Sequence, residues 1–192
     1  MWTLIPLGNP GPDYTATRHN LGRLLLQRWI GDRGLRPGVA RQFPSGRIYG
    51  LTEGLEALVP ATWMNLSGQA VQEAVAAGIP AERLIILVDD KDLPLGLGRL
   101  RPGGQDGGHN GLRSIHGALG TEAVPRLRLG TGPFTRPLHE FVLGAWTDPE
   151  WTLIDRLDGP FARFMDLLEG ARDLEALQGQ VNAEAWWGET LP

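Results

Sequence analysis

Cysteine is absent from this 192-residue chain, lysine occurs once (Lys91) and asparagine five times. The first absence removes disulfide frameworks, thiolate metal sites and cysteine nucleophiles together. No apolar run approaches the length needed to cross a bilayer. The opening MWTLIPLGNPG has neither a basic n-region nor a sustained apolar stretch, so it does not read as a signal peptide. A cytoplasmic protein is the expectation. Two hydrolase signatures are missing as well. His139-Glu140 begins the zinc string His-Glu-x-x-His, but Leu143 stands where the second histidine belongs. The nearest approach to a Gly-x-Ser-x-Gly elbow, Asn65-Leu66-Ser67-Gly68, does not fit.

What is present is unevenly placed. Four of the five asparagines sit in short glycine-rich motifs: LGNPG (Asn9), TRHNLG (Asn20), WMNLSGQAV (Asn65) and GGHNGLRSI (Asn110). Two of them directly follow a histidine, His19 and His109. Asparagine suits loops that bend, and it offers a ligand both a donor and an acceptor. The pattern points to a polar site built from loops. Charge is uneven too. The net value is −4, yet residues 1–50 carry seven arginines against Asp13 and Asp32, while residues 151–192 carry three arginines against eight acids. Such a split allows one basic face for an anionic ligand on an acidic protein; a merely solvated arginine-rich surface is the blander explanation.

Hydrophobic patterning sets the architecture. Residues 3–7 read as a strand ended by the turn Gly8-Asn9-Pro10-Gly11, and residues 21–30 have helical spacing. The Gly/Pro/Arg-rich stretch 34–46 reads as a loop, 47–52 and 55–60 as strands, and 71–77 as the body of a helix capped by Asn65 or Ser67. LIILVDD, residues 84–90, is the clearest buried strand. Strand 98–101, loop 102–108, helix 110–119 and strand 126–130 follow. Helices then run from the Asp148-Pro149 start to Gly159, over 161–168 and over 174–186. Strands alternating with helices, with no repeat or linker, predict one α/β domain over residues 1–192.

Without cysteine, a zinc string or a serine elbow, the remaining chemistry is a histidine acting as general base on water, oriented by a carboxylate. His19 follows a Gly/Pro loop and precedes an apolar helix, and Asp89 ends the buried strand, where open α/β sheets place ligand residues. Asparagine amides can then stabilise a developing oxyanion. GGQDGGHNG, residues 103–111, lacks the Gly-Lys-Ser/Thr ending of a phosphate loop and reads instead as a glycine loop opening a helix.

Taken together, LGNPGPDYTATRHNLG (7–22), MNLSGQAV (64–71), VDDKDLPLGLGRLRPGGQDGGHNGLRSI (88–115), RLRLGTG (126–132) and FVLGAW (141–146) resemble the bacterial peptidyl-tRNA hydrolase family. The resemblance implies a single α/β domain with a twisted mixed β-sheet flanked by helices. It also implies hydrolysis of the ester between an N-blocked peptide and the 3′ end of tRNA. His19 is then the catalytic base and Asp89 its orienting partner. Asn9, Asn65 and Asn110 match peptide- and ester-binding asparagines, Tyr14 and Met64 match lining residues, and Arg99 and Arg101 match basic positions near tRNA phosphates. The partner is peptidyl-tRNA; no cofactor, metal or membrane is called for, and a monomer is expected. Pro6 replaces a glycine usual in the family. The basic residue usual after Gly132 is missing, with Arg136 the nearest substitute. A non-catalytic RNA-binding relative, akin to a plant organelle splicing factor, is the alternative; it predicts loss of the His–Asp pair.

Overall fold

The two most continuous aliphatic runs become neighbouring central strands, because only a strand covered on both faces can bury every side chain. These are β1 (Trp2–Pro6), buried throughout, and β5 (Leu84–Pro94), buried over its first six residues. The computed structural model describes residues 1–134, 137–183 and 186–188. Among them, five more strands complete the sheet: β2 (Val39–Phe43), β3 (Gly46–Gly50), β4 (Leu55–Pro60), β6 (Gly98–Arg101) and β7 (Arg126–Gly132). The order is β2-β3-β4-β1-β5-β7-β6. β4, β1, β5 and β7 are mutually parallel, and β2, β3 and β6 add antiparallel edges. The sheet is therefore mixed, and the chain forms a single α/β domain as its sequence predicts.

Side chains alternate between two cores. Ile85 and Leu87 face one layer, packed with α1 (Leu21–Asp32), α5 (Asp148–Gly170) and α6 (Glu175–Val181). Leu84, Ile86 and Val88 face the other, packed with α2 (Ser67–Ala76) and α3 (Asn110–Leu119). A short α4 (Leu138–Val142) links β7 to α5. Among the described residues no helix is long and apolar enough to cross a membrane.

Several strand ends shift by a few residues, and α2 starts at Ser67 with no side-chain cap from Asn65 or Ser67; four further boundaries differ from the sequence reading. Residues 34–46 are not all loop, since Val39–Phe43 pairs with β3 as an edge strand; it is mostly exposed and so carries no core-facing alternation. The helices expected on either side of Pro160 are one helix. Its buried stripe of Ile154, Leu157, Phe161, Phe164, Met165 and Leu168 runs unbroken past the proline, and that burial outweighs the ~3 kcal/mol an interior proline can cost. Its cap is Thr147, in a capping box with Glu150, rather than Asp148. The helix expected over 174–186 ends at Val181. Asn182 then turns to the sheet edge, its side chain exchanging hydrogen bonds of 2.8 and 2.9 Å with the Leu100 backbone, while residues 184 and 185 lie outside the described set.

Candidate active site

Two motif glycines bring the site together by permitting close approach. A Cβ at Gly22 would lie 2.6 Å from the Leu87 carbonyl oxygen, so only glycine lets the start of α1 rest on β5. That contact seats the 3₁₀ turn Arg18–Asn20 over the end of β5, with His19 above Asp89. A Cβ at Gly68 would lie 2.1 Å from the Ser114 carbonyl oxygen. Its absence lets α2 and α3 pack closely enough that Gly68 N–H donates to Ser114 Oγ at 2.9 Å. Asn65, just before α2, and Asn110, opening α3, thereby line the same cleft of about 910 Å³.

At the floor of this cleft His19 Nδ1 lies 2.9 and 3.1 Å from the two carboxylate oxygens of Asp89. Both residues are buried. The bond assigns His19 the tautomer with its proton on Nδ1, leaving Nε2 with a free lone pair. Burial disfavours the imidazolium, but the Asp89 charge and hydrogen bond outweigh it and raise the His19 pKa above its ordinary 6.5. Burial likewise opposes the Asp89 carboxylate. The charges and hydrogen bonds of His19 and His109 overcome that and hold Asp89 well below the usual carboxylate range. His109 is a contributor that the sequence reading left without a role. Its Nε2 lies 3.0 Å from Asp89 Oδ1, and its Nδ1 accepts from the Gly111 and Leu112 amides as the cap of α3. The clue was its place directly before a helix-opening Asn-Gly. Among the described residues His19, Asp89 and His109 are also the one trio of potential metal ligands, but their mutual distances are those of hydrogen bonds.

The asparagines divide by task. Asn20 is structural: its side chain exchanges two 2.9 Å hydrogen bonds with the Asn9 backbone and so shapes the LGNPG loop. Arg23 reinforces this from the Pro6, Asn9 and Pro60 carbonyls, and its burial lowers the guanidinium to about 10. Asn9 Oδ1 accepts from the Met64 amide at 2.8 Å, which leaves only Nδ2 to offer a ligand. The expectation that Asn9 presents both donor and acceptor is therefore corrected. Asn65 and Asn110 are exposed, line the cleft and make no side-chain hydrogen bond among the described residues. Met64 lines it from a buried position. Tyr14 stands outside the lining; it packs edge-on against Trp63, ring centroids 5.5 Å apart, and Trp63 reaches the cleft instead.

Arg101 lines the cleft and Arg99 does not. The register adds two arginines that sequence reasoning passed over, since Arg99 pairs with Arg128 and Arg101 with Arg126 across β6 and β7. Directly opposed residues share a face, so four guanidinium groups stand on one side of a two-strand ladder with Leu100 and Leu127 on the other. Arg128 pairs with Asp90, and Arg126 bonds the Gly104 and Gln105 carbonyls of the glycine loop. Arg136 lies outside the described residues.

Fold and site together define an α/β protein with a buried, hydrogen-bonded histidine–aspartate pair in an amide-lined cleft. The sequence profile described as Peptidyl-tRNA hydrolase matches residues 3–185. Similar proteins include a peptidyl-tRNA hydrolase of Carboxydothermus hydrogenoformans, 42% identical over 161 residues, which cover 81% of this chain and 84% of the relative. One from Prochlorococcus marinus is 37% identical over 190 residues, 94% of this chain and 92% of the relative. The crystal structure of peptidyl-tRNA hydrolase from Acinetobacter baumannii superposes with a TM-score of 0.83 at 31% identity, covering 95% of each chain. The chain belongs to the peptidyl-tRNA hydrolase family.

Proposed function

We propose that the protein hydrolyses the ester between an N-blocked aminoacyl or peptidyl group and the 3′ ribose of tRNA, with residues 1–192 acting as one catalytic domain. The observation that carries this reading is the His19 Nδ1–Asp89 bond at the floor of an amide-lined cleft bordered by arginines. His19 Nε2 takes a proton from water, and the hydroxide formed attacks the ester carbonyl. Side-chain amides of Asn9, Asn65 and Asn110 bind the developing oxyanion and the peptide backbone. The tetrahedral intermediate expels the ribose oxygen, which recovers the proton from the imidazolium. An ester leaving group is good enough that the reaction requires neither a covalent nucleophile nor a metal. Met64 and Trp63 border the reacting group, with Tyr14 supporting Trp63, while Arg99 and Arg101 face the tRNA phosphates. The protein works as a cytoplasmic monomer that releases tRNA for reuse.

Purified protein incubated with N-acetyl-aminoacyl-tRNA and with unblocked aminoacyl-tRNA tests the reading. Cleavage of the first and sparing of the second is expected, because asparagines that bond a backbone amide are left unpaired by a free ammonium. His19→Ala should lower kcat/KM by roughly 10²–10⁴-fold, and Asp89→Asn by less. Because His19 must be unprotonated and its pKa is raised, kcat/KM should climb with pH along a limb centred above 6.5. Equal cleavage of both substrates would overturn the asparagine roles. The splicing-factor alternative predicted loss of the His–Asp pair, and that pair is intact.

A further inference from the structure

The most constrained group in the cleft that the mechanism leaves unused is His109. Its ring is fixed at both nitrogens. Nδ1 accepts from Gly111 N–H at 3.2 Å and Leu112 N–H at 3.3 Å, the free amides at the start of α3. The proton therefore sits on Nε2, which donates to Asp89 Oδ1 at 3.0 Å. His19 donates to the same carboxylate from its Nδ1. The two rings lie 4.7 Å apart, tilted by 57°, so one buried aspartate is gripped by two imidazoles of opposite tautomer. Of the two rings, only that of His19 has a nitrogen without a hydrogen-bond partner among the described residues.

We propose that His109 is a positioning residue that tunes the catalytic base, taking up part of the Asp89 charge that would otherwise act on His19 alone. This rests on His19 being the base. A buried carboxylate with a single donor would rotate and would hold a facing imidazolium more tightly, leaving less of the free base at neutral pH. A second, immovable donor does two things. It fixes the carboxylate plane, so that His19 keeps its Nδ1–H tautomer. It also diverts charge, so that the His19 pKa stays lower than Asp89 alone would make it. The charged groups nearby do not duplicate this role: Asp90 turns to Arg128 and Lys91 to Asp92. Because His109 also caps α3, which opens with Asn110, it ties the substrate-facing asparagine to the base through one ring.

The two functions of the ring separate by substitution. Asparagine reproduces Nδ1: His109→Asn keeps a good helix cap but cannot reach Asp89. Glutamine reproduces Nε2: His109→Gln keeps the donor to Asp89 but loses the cap. Two readouts are needed, nitrogen NMR titration of the His19 ring and the pH profile of kcat/KM on N-acetyl-aminoacyl-tRNA. In His109→Asn the His19 titration and the acid limb should both move to higher pH, with melting unchanged. In His109→Gln both should stay near wild type while Tm falls by about 2–4 °C, the size of one lost helix cap in a domain of this length. An unmoved His19 titration in His109→Asn, or a shift in His109→Gln alone, would overturn the proposal. If His19→Ala retained full activity the base assignment would fall instead, and the NMR arm would still decide whether His109 tunes that ring.

Discussion

Two sets of arginines divide this molecule, and they behave in opposite ways. From the turn before α1 to the residue that ends it, Arg18, Arg28 and Arg33 each meet acids on α5: Glu150, Asp155 with Asp158, and Asp166. Along the β6–β7 ladder, four arginines face one another, and among the described residues only Arg128 has a carboxylate partner. Arg101 has no polar partner among the described residues and projects into the cleft. Three of the seven arginines in residues 1–50 thus join α5 acids in a seam that is buried at Arg18 and exposed at Arg33, while Arg36, Arg41 and Arg47 lie exposed on the surface. A cation's partner, more than its density along the chain, separates an arginine that holds the fold from one free to hold a ligand.

The seam is broken hardest at Arg18. Its side chain is 2% exposed, bonds the Gly144 and Ala145 carbonyls as well as Glu150, and lies between the Phe141 and Trp146 rings. Breaking a buried pair typically costs about 3–5 kcal/mol. Here Glu150 is 24% exposed and still held by Thr147, so the low end of that range applies. It is carried by the void and the two unpaired carbonyls that Arg18 leaves. Arg18→Ala should lose that much in urea denaturation, and Arg18→Lys should recover only part, because an ammonium cannot span two carbonyls and a carboxylate. A loss below about 1 kcal/mol would place Arg18 with the weak surface pairs.

The ladder should respond with the opposite sign. Like charges directly opposed across strands destabilise by roughly 0.2–1 kcal/mol, so Arg101→Ala should leave stability unchanged or slightly raised. Its cost should fall on tRNA affinity, with the salt slope of binding flattened by about one and little change in cleavage of a short ester fragment. Equal losses on fragment and tRNA would mean that Arg101 serves the chemistry or the fold.

The motifs were legible because each residue in them has a local job. TRHN, MNLSG and GGHNG placed His19, Asn65 and Asn110 on loops at element ends, and the long aliphatic run located Asp89. What escaped was whatever depends on register or partner. The opposition of Arg101 to Arg126 is a property of strand pairing, which no single strand displays. The division between Asn9, whose acceptor is taken by Met64, and Asn110, whose side chain bonds nothing among the described residues, depends on a contact 55 residues distant. Edge strand β2 escaped because an exposed strand has no apolar alternation. The unbroken α5 escaped because its proline was weighed locally while the stripe that overrides it spans the whole helix.

The smallest effect expected is at the outer end of the seam. Arg28 bridges Asp155 at 2.7 Å and Asp158 at 2.6 Å, but Asp155 is 62% exposed, so solvent screens much of the attraction. Arg28→Ala should cost no more than about 1 kcal/mol and leave the salt slope of tRNA binding untouched. Its pH dependence is more informative than its size. Burial raises the Asp158 pKa, Arg28 opposes that rise, and Asp32 and Asp155 add to it. Without Arg28 the rise is unopposed. For a carboxylate whose folded pKa is raised, the penalty is full above that pKa and disappears as pH falls below the unfolded value. The deficit of Arg28→Ala should therefore be largest at neutral pH and shrink as acid protonates Asp158, as chemical denaturation across that range would reveal. A deficit independent of pH would mean that the arginine acts through the packing of its aliphatic stem rather than through its charge.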